Sequence, residues 1–107
     1  MGIYVYVTRK EDPLDEEEGN NISAEEWRAV VDADPDLALR DPPDKAQKDR
    51  TIYSAWDSYP GGYTAWFGLA FGNIEVKGID EALLAKLRTF AAKLDGRIVS
   101  EEGESFT

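Results

Sequence analysis

Two short signatures decide where this chain is helical. In "ISAEEW", Ser23 followed three residues later by Glu26 is a capping box. The Ser23 hydroxyl accepts the backbone N–H of residue 26, and the Glu26 carboxylate reaches back to that of residue 23. Ile22 before the cap and Trp27 after it stand at the spacing of a hydrophobic staple. In "IDEALL", Asp80 supplies a second N-cap, and Ile79 with Leu84 repeats the staple. Each start leads into one apolar stripe. The first carries Trp27, Val30 and Val31; the second carries Leu83, Leu84, Leu87, Phe90, Ala91 and Leu94. Asp34-Pro35 ends the first helix, because a residue before proline avoids the α region. Gly96 stands where the second helix expects its C-terminal cap.

The other apolar segments are short and alternate like strands. "IYVYVT" sets Ile3, Val5 and Val7 against Tyr4, Tyr6 and Thr8. Residues 51–59, 64–71, 74–77 and 97–100 read as further strands, with Gly72-Asn73 as a hairpin turn and "PGG" as a loop. "SFT" at the end suits an edge strand. "RKEDPLDEEEGNN" and "RDPPDKAQKDR" are broken by proline and charge and read as loops. The order β-α-β-β-β-α-β predicts an α+β fold: a mostly antiparallel sheet of about five strands with two helices packed on one face. At 107 residues, without a repeat or an internal boundary, this is one domain. Its 42% hydrophobic content is enough to build a core.

The chain contains no cysteine and no histidine. That removes disulfides, zinc centres and every Ser-His or Cys-His nucleophile. Catalysis would have to use carboxylates, Lys, Tyr or Ser. Neither a Walker loop nor a G-x-G-x-x-G is present, so no cofactor is expected. No apolar run reaches membrane-spanning length. The basic residues of the first segment follow the apolar ones, the wrong order for a secretory signal, and Tyr6 stands where a myristoylation motif needs Ser or Thr. The expectation is a cytoplasmic protein that binds neither membrane nor nucleic acid.

The formal charge of −10 is concentrated. Residues 11–36 hold eleven acids and one base, while the rest of the chain is balanced at eleven of each. Such a segment repels phosphate and attracts a basic protein. Asp15, Glu16, Glu17 and Glu18 form one acidic run; Asp32, Asp34 and Asp36 form another. "DADPD" has the opening spacing of a calcium loop, but Leu37 and Pro43 occupy the positions that require Gly and Glu, so no metal is assigned. Tyr59 and Tyr63 flank "PGG" and are expected to be exposed as aromatic anchors.

The segments "YVYVTR", "ISAEEWRAVVDADPDL", "AWDSYPGGYTAWFGLAFGNIEVKGID" and "AAKLDGRIVSEEGESF" occur in an order that resembles a family of small acidic bacterial proteins with I-x-x-E-E-W and G-x-I-x-V-K motifs. Gly78-Ile79 and Phe106 depart from the family's usual Asn-Pro and Tyr. By size and acidity the chain is similar to immunity proteins that neutralise toxins of neighbouring cells. That resemblance implies a non-enzymatic binder that covers a basic, cognate toxin. The acids named above would steer the approach, and Tyr59 and Tyr63 would anchor it. The alternatives are a small ligand-binding or carboxylate-based enzyme domain, or a self-associating homodimer.

Overall fold

The computed structural model describes residues 3–15 and 19–106. Both predicted helix starts form. The Glu26 amide donates to Ser23 Oγ at 3.1 Å, and the Ser23 amide donates to Glu26 Oε1 at 3.1 Å. The helix α1 that follows runs Ala24–Ala33 and buries Trp27, Val30 and Val31. The Asp80 carboxylate accepts from the Leu83 amide and opens α2, Glu81–Leu94. The left-handed residue that closes α2 is Asp95, at φ 55°, one position before the expected Gly96. Gly96 serves a different purpose. A side chain there would stand 3.1 Å from the Thr8 carbonyl, a tight approach that glycine relieves where the chain passes the first strand.

Six strands form: β1 Tyr4–Thr8, β2 Leu37–Leu39, β3 Ile52–Trp56, β4 Ala65–Ala70, β5 Asn73–Lys77 and β6 Arg97–Ser100. They lie in one antiparallel sheet in the order β2-β3-β4-β5-β1-β6. The fold is α+β as the sequence predicts, with one strand more. The extra strand, β2, is only three residues long. It forms because Leu37 is buried and its backbone pairs with that of Trp56. The terminal "SFT" contributes a single bridge, Ser105 to Val99, rather than a strand. Among the described residues, no helix is long and apolar enough to cross a membrane.

Strand alternation divides the sheet into two faces. Toward the helices point Val5, Val7, Phe67, Ile74 and Ile98, all fully buried. Phe90 of α2 meets Trp27 of α1 and Phe67 of β4 edge-on, at 5.2 and 5.1 Å between ring centres. The Trp27 indole donates to the Ile52 carbonyl at 3.0 Å. This aromatic T-junction ties both helices to the sheet, and edge-to-face pairs add about 1 kcal/mol each beyond their burial. Among the described residues, the opposite face carries no helix. Across it, Tyr53, Gly68, Glu75, Tyr6 and Val99 stand in one cross-strand row.

The hairpin between β4 and β5 departs from the expected turn. The turn residues are Phe71 and Gly72, at φ 53° and 80°, not Gly72 and Asn73. Two successive left-handed residues make a type I′ turn, whose twist matches that of the strands. Asn73 belongs to β5 because its side chain is used inside the structure: Thr8 Oγ1 donates to Asn73 Oδ1, and Asn73 Nδ2 donates to the Pro13 carbonyl, both at 2.6 Å.

Candidate protein-docking surface

A phenylalanine in the left-handed region is a strained residue, costing about 1–2 kcal/mol where Asn or Gly would cost little. Burial would be the ordinary compensation, yet Phe71 is 70% exposed. Its conformation is imposed by its surroundings. The buried Lys10 ammonium donates to the Phe71 carbonyl at 2.6 Å and to the Asp15 carbonyl at 3.1 Å. The Ile22 amide donates to the Gly72 carbonyl at 2.9 Å. A side chain on Gly72 would collide with Asn21 Oδ1, so the turn is wedged on that side as well. Strain held this firmly and left exposed makes the hairpin tip a candidate functional feature.

Leu14 accompanies Phe71 and is 59% exposed. Its loop is shaped by an Asx turn, with the Leu14 amide donating to Asp12 Oδ1 at 3.0 Å and the Asp15 amide to the Asp12 carbonyl at 3.1 Å. Three cavities meet at Phe71. One of about 480 Å³ opens toward Lys48, Asp49 and Arg50. A second, of about 350 Å³, lies toward Asn21 and Ile52. The third, of about 220 Å³, lies between Phe71, Leu14, Tyr6 and Glu75. The hairpin tip is thus an apolar knob set among concave surface.

The open face beside the knob carries both signs of charge, with Glu75 and Asp49 near Lys45 and Lys77. Burial and then the charge of Asp49 raise the Glu75 carboxyl above its ordinary value. Burial, then Glu75 and Glu101, raise the Tyr6 phenol. Tyr53 is pushed up to about 12 by burial and by its hydrogen bond to Asp49.

The residues expected from the sequence do not share one surface. Asp15 lies at the Phe71 end, where its carbonyl holds Lys10. Glu16, Glu17 and Glu18 lie outside the described residues. Asp32, Asp34 and Asp36 lie at or beyond the far end of α1, roughly 20 Å away along the sheet at about 3.3 Å per strand residue. Asp32 is exposed there. Asp34 and Asp36 converge on Lys86, at 2.9 and 3.2 Å, and the ammonium also lies 4.7 Å from the centre of the Trp56 ring. Their charge already has a partner inside the molecule. Among the described residues, no group of three or more acids is placed to hold a metal ion.

Tyr59 corrects the expectation of exposure, since it is only 6% exposed. Its hydroxyl donates to Asp80, the cap of α2, and that bond holds the phenol well above the ordinary tyrosine value. Its ring packs on Trp56 at 5.3 Å. Tyr63 is 63% exposed as expected and rests edge-on against Tyr59 at 5.1 Å.

Sequence reading missed Phe71, Leu14, Glu75 and Tyr6 as a group. The parity of the apolar positions carried the signal. Phe67 and Leu69 must share a face with Ile74 and Val76, which pairs Leu69 with Ile74 and puts the turn at residues 71 and 72. No family model, curated protein or solved structure matches this chain.

Proposed function

We propose that this chain is a non-enzymatic binding protein of the cytoplasm that neutralises a basic partner protein by covering it, as an immunity protein covers a toxin. The observation that carries this reading is Phe71: an exposed aromatic, strained and yet braced in place, on a molecule with ten excess negative charges. The acids speed and orient the encounter, and the knob buries the contact. The immunity role comes from the resemblance in the sequence.

One observation favours a carboxylate enzyme. Glu75 is shifted up, while Asp49 is shifted down, chiefly by its hydrogen bonds from Thr51 and then Tyr53. Opposed shifts can mark an acid and a base. Here the two acids line different cavities, and both Asp49 oxygens are already engaged. The geometry favours binding.

The test is capture of partners by tagged wild type and by Phe71→Ala from lysate of the native cell, at low and high salt. The expected result is one basic protein held stoichiometrically by the wild type, weakened by salt and lost with Phe71→Ala. The purified partner should be toxic when expressed alone and harmless beside the wild type. A partner retained equally by Phe71→Ala, or one whose activity persists in the complex, would overturn the reading.

A further inference from the structure

We propose that the cavity between Phe71, Leu14, Tyr6 and Glu75 receives one lysine or arginine side chain of the docking partner, with Glu75 as the group that meets its charge. This inference rests on the docking reading above and assigns a role to one part of that surface.

Size is the first argument. About 220 Å³ is below the roughly 300–1,000 Å³ of pockets that enclose whole small ligands. It is suited to a single side chain. Lining is the second argument. Tyr6, Leu14, Ala70 and Phe71 offer apolar surface, while Glu75 is the one acid of the lining among the described residues. A long cationic side chain has the matching form, an aliphatic stem with a charged end. Leu14 and Phe71 are the two exposed members, so the mouth of the cavity is the anchor surface itself.

The state of Glu75 is the third argument. The carboxylate is half-buried and makes no hydrogen bond or ion pair among the described residues. Its cross-strand neighbours are Gly68, which has no side chain to offer, and Tyr6. Lys77 follows two residues later on the same face but forms no ion pair with it. Lys45, over the Tyr53 ring, is already bound to Asp41 and to the Thr51 carbonyl. A carboxylate partly removed from water without a partner is unfavourable until a cation arrives. An entering ammonium or guanidinium makes a charge-assisted bond, the strongest class available to it. The raised carboxyl value agrees with that environment.

The experiment uses the isotope-labelled full chain and two probes with similar stems, Nα-acetyl-lysine amide and the uncharged Nα-acetyl-norleucine amide. Amide resonances of Tyr6, Ala70, Phe71, Asn73 and Glu75 should shift and saturate with the lysine probe. The norleucine probe should bind about tenfold more weakly, the factor expected from one charge-assisted bond. Glu75→Gln should bring the lysine probe down to the norleucine level. Equal binding of both probes by the wild type, shifts that map elsewhere, or full lysine binding by a folded Glu75→Gln would each overturn the proposal. If it falls while Phe71→Ala still abolishes capture, docking through the knob stands without a cation receptor. If Phe71→Ala leaves capture intact, the docking reading falls and takes this one with it.

Discussion

The Lys10 ammonium donates to the Phe71 carbonyl at 2.6 Å, so a buried cation just after β1 holds an exposed aromatic 61 residues further along the chain. That bond joins three segments at one point: the loop that presents Leu14, the hairpin that presents Phe71, and β1 with its Thr8–Asn73 bond. Replacing Lys10 by Met should leave the Phe71 and Asp15 carbonyls short of a donor and cost about 2–3 kcal/mol. Denaturant unfolding measures the loss. Hydrogen exchange should show residues 71–73 opening before the core; uniform loss of protection would contradict the bracing role.

Phe71→Asn should separate stability from binding. Asn followed by Gly is the favoured pair for a type I′ turn, and little buried area is lost at a 70% exposed position. The variant should be more stable by about 1 kcal/mol, the strain released from a left-handed Phe. It should also lose its partner. A variant that is both less stable and fully competent would show that the aromatic serves the fold.

The two exposed aromatic ends can be told apart directly. Tyr63→Ala removes a ring that leans on Tyr59 at the far end of the sheet. If docking uses the hairpin tip, this variant should keep partner affinity within about twofold, while Phe71→Ala loses at least about tenfold, as a truncated hot spot does. Affinity measured by calorimetry decides the matter, and the reverse ranking would move the interface to the tyrosine end.

Lys86 is the cation on which the two acids of "DADPD" converge, and Asp34 is nearly as buried as Lys86. Removing it as Lys86→Met strands a buried charge and should cost about 3 kcal/mol. Burial alone would raise Asp34; the Lys86 ammonium and the Asp36 amide outweigh it and hold the carboxyl below its ordinary value. A lowered folded value means that the stabilisation is complete above the unfolded value near about pH 3.9 and is lost as pH falls below it. Urea unfolding followed downward from neutral pH should show this decline in the wild type and a shallower one in Lys86→Met.

Asp57 offers a pH test at an exposed carboxylate. Arg40 grips it with two bonds, at 2.7 and 2.8 Å, and Thr64 adds a third at 2.8 Å. Arg40 first and Thr64 second bring its carboxyl down to about 2. Carbon-detected titration should place its midpoint there, with a return toward about 3.9 in Arg40→Ala. An unchanged midpoint in the variant would remove the Arg40 contact.

Much of the fold was legible because local signals agreed with one another. The Ser23–Glu26 box, the Asp80 cap and the staples fixed both helices, and the Val5/Val7 alternation fixed β1. Three features were less open to a linear reading. β2 is too short to alternate and exists through its pairing with β3. Tyr59 lies in a loop, where exposure is the ordinary guess, but its hydroxyl is claimed by Asp80 from across the fold. Glu75 reads as a polar strand position, and only the register that puts Gly68 and Tyr6 beside it gives it an environment. The acidic run was visible as charge, and of its four residues the described part contains Asp15 alone.

The shortness of β2 and the chain folded over β6 have a further consequence. β2 offers only three residues of free backbone on one flank. On the other, Ser100 donates to the Glu104 carbonyl and Phe106 to the Ile98 carbonyl, occupying the outer side of β6. Among the described residues, neither border presents a long row of unpaired peptide groups, so another chain has little to zip onto. Such borders disfavour edge-to-edge aggregation and recruitment of a partner by strand addition. If the docking reading holds, recognition falls to side chains, and selectivity should be editable one residue at a time.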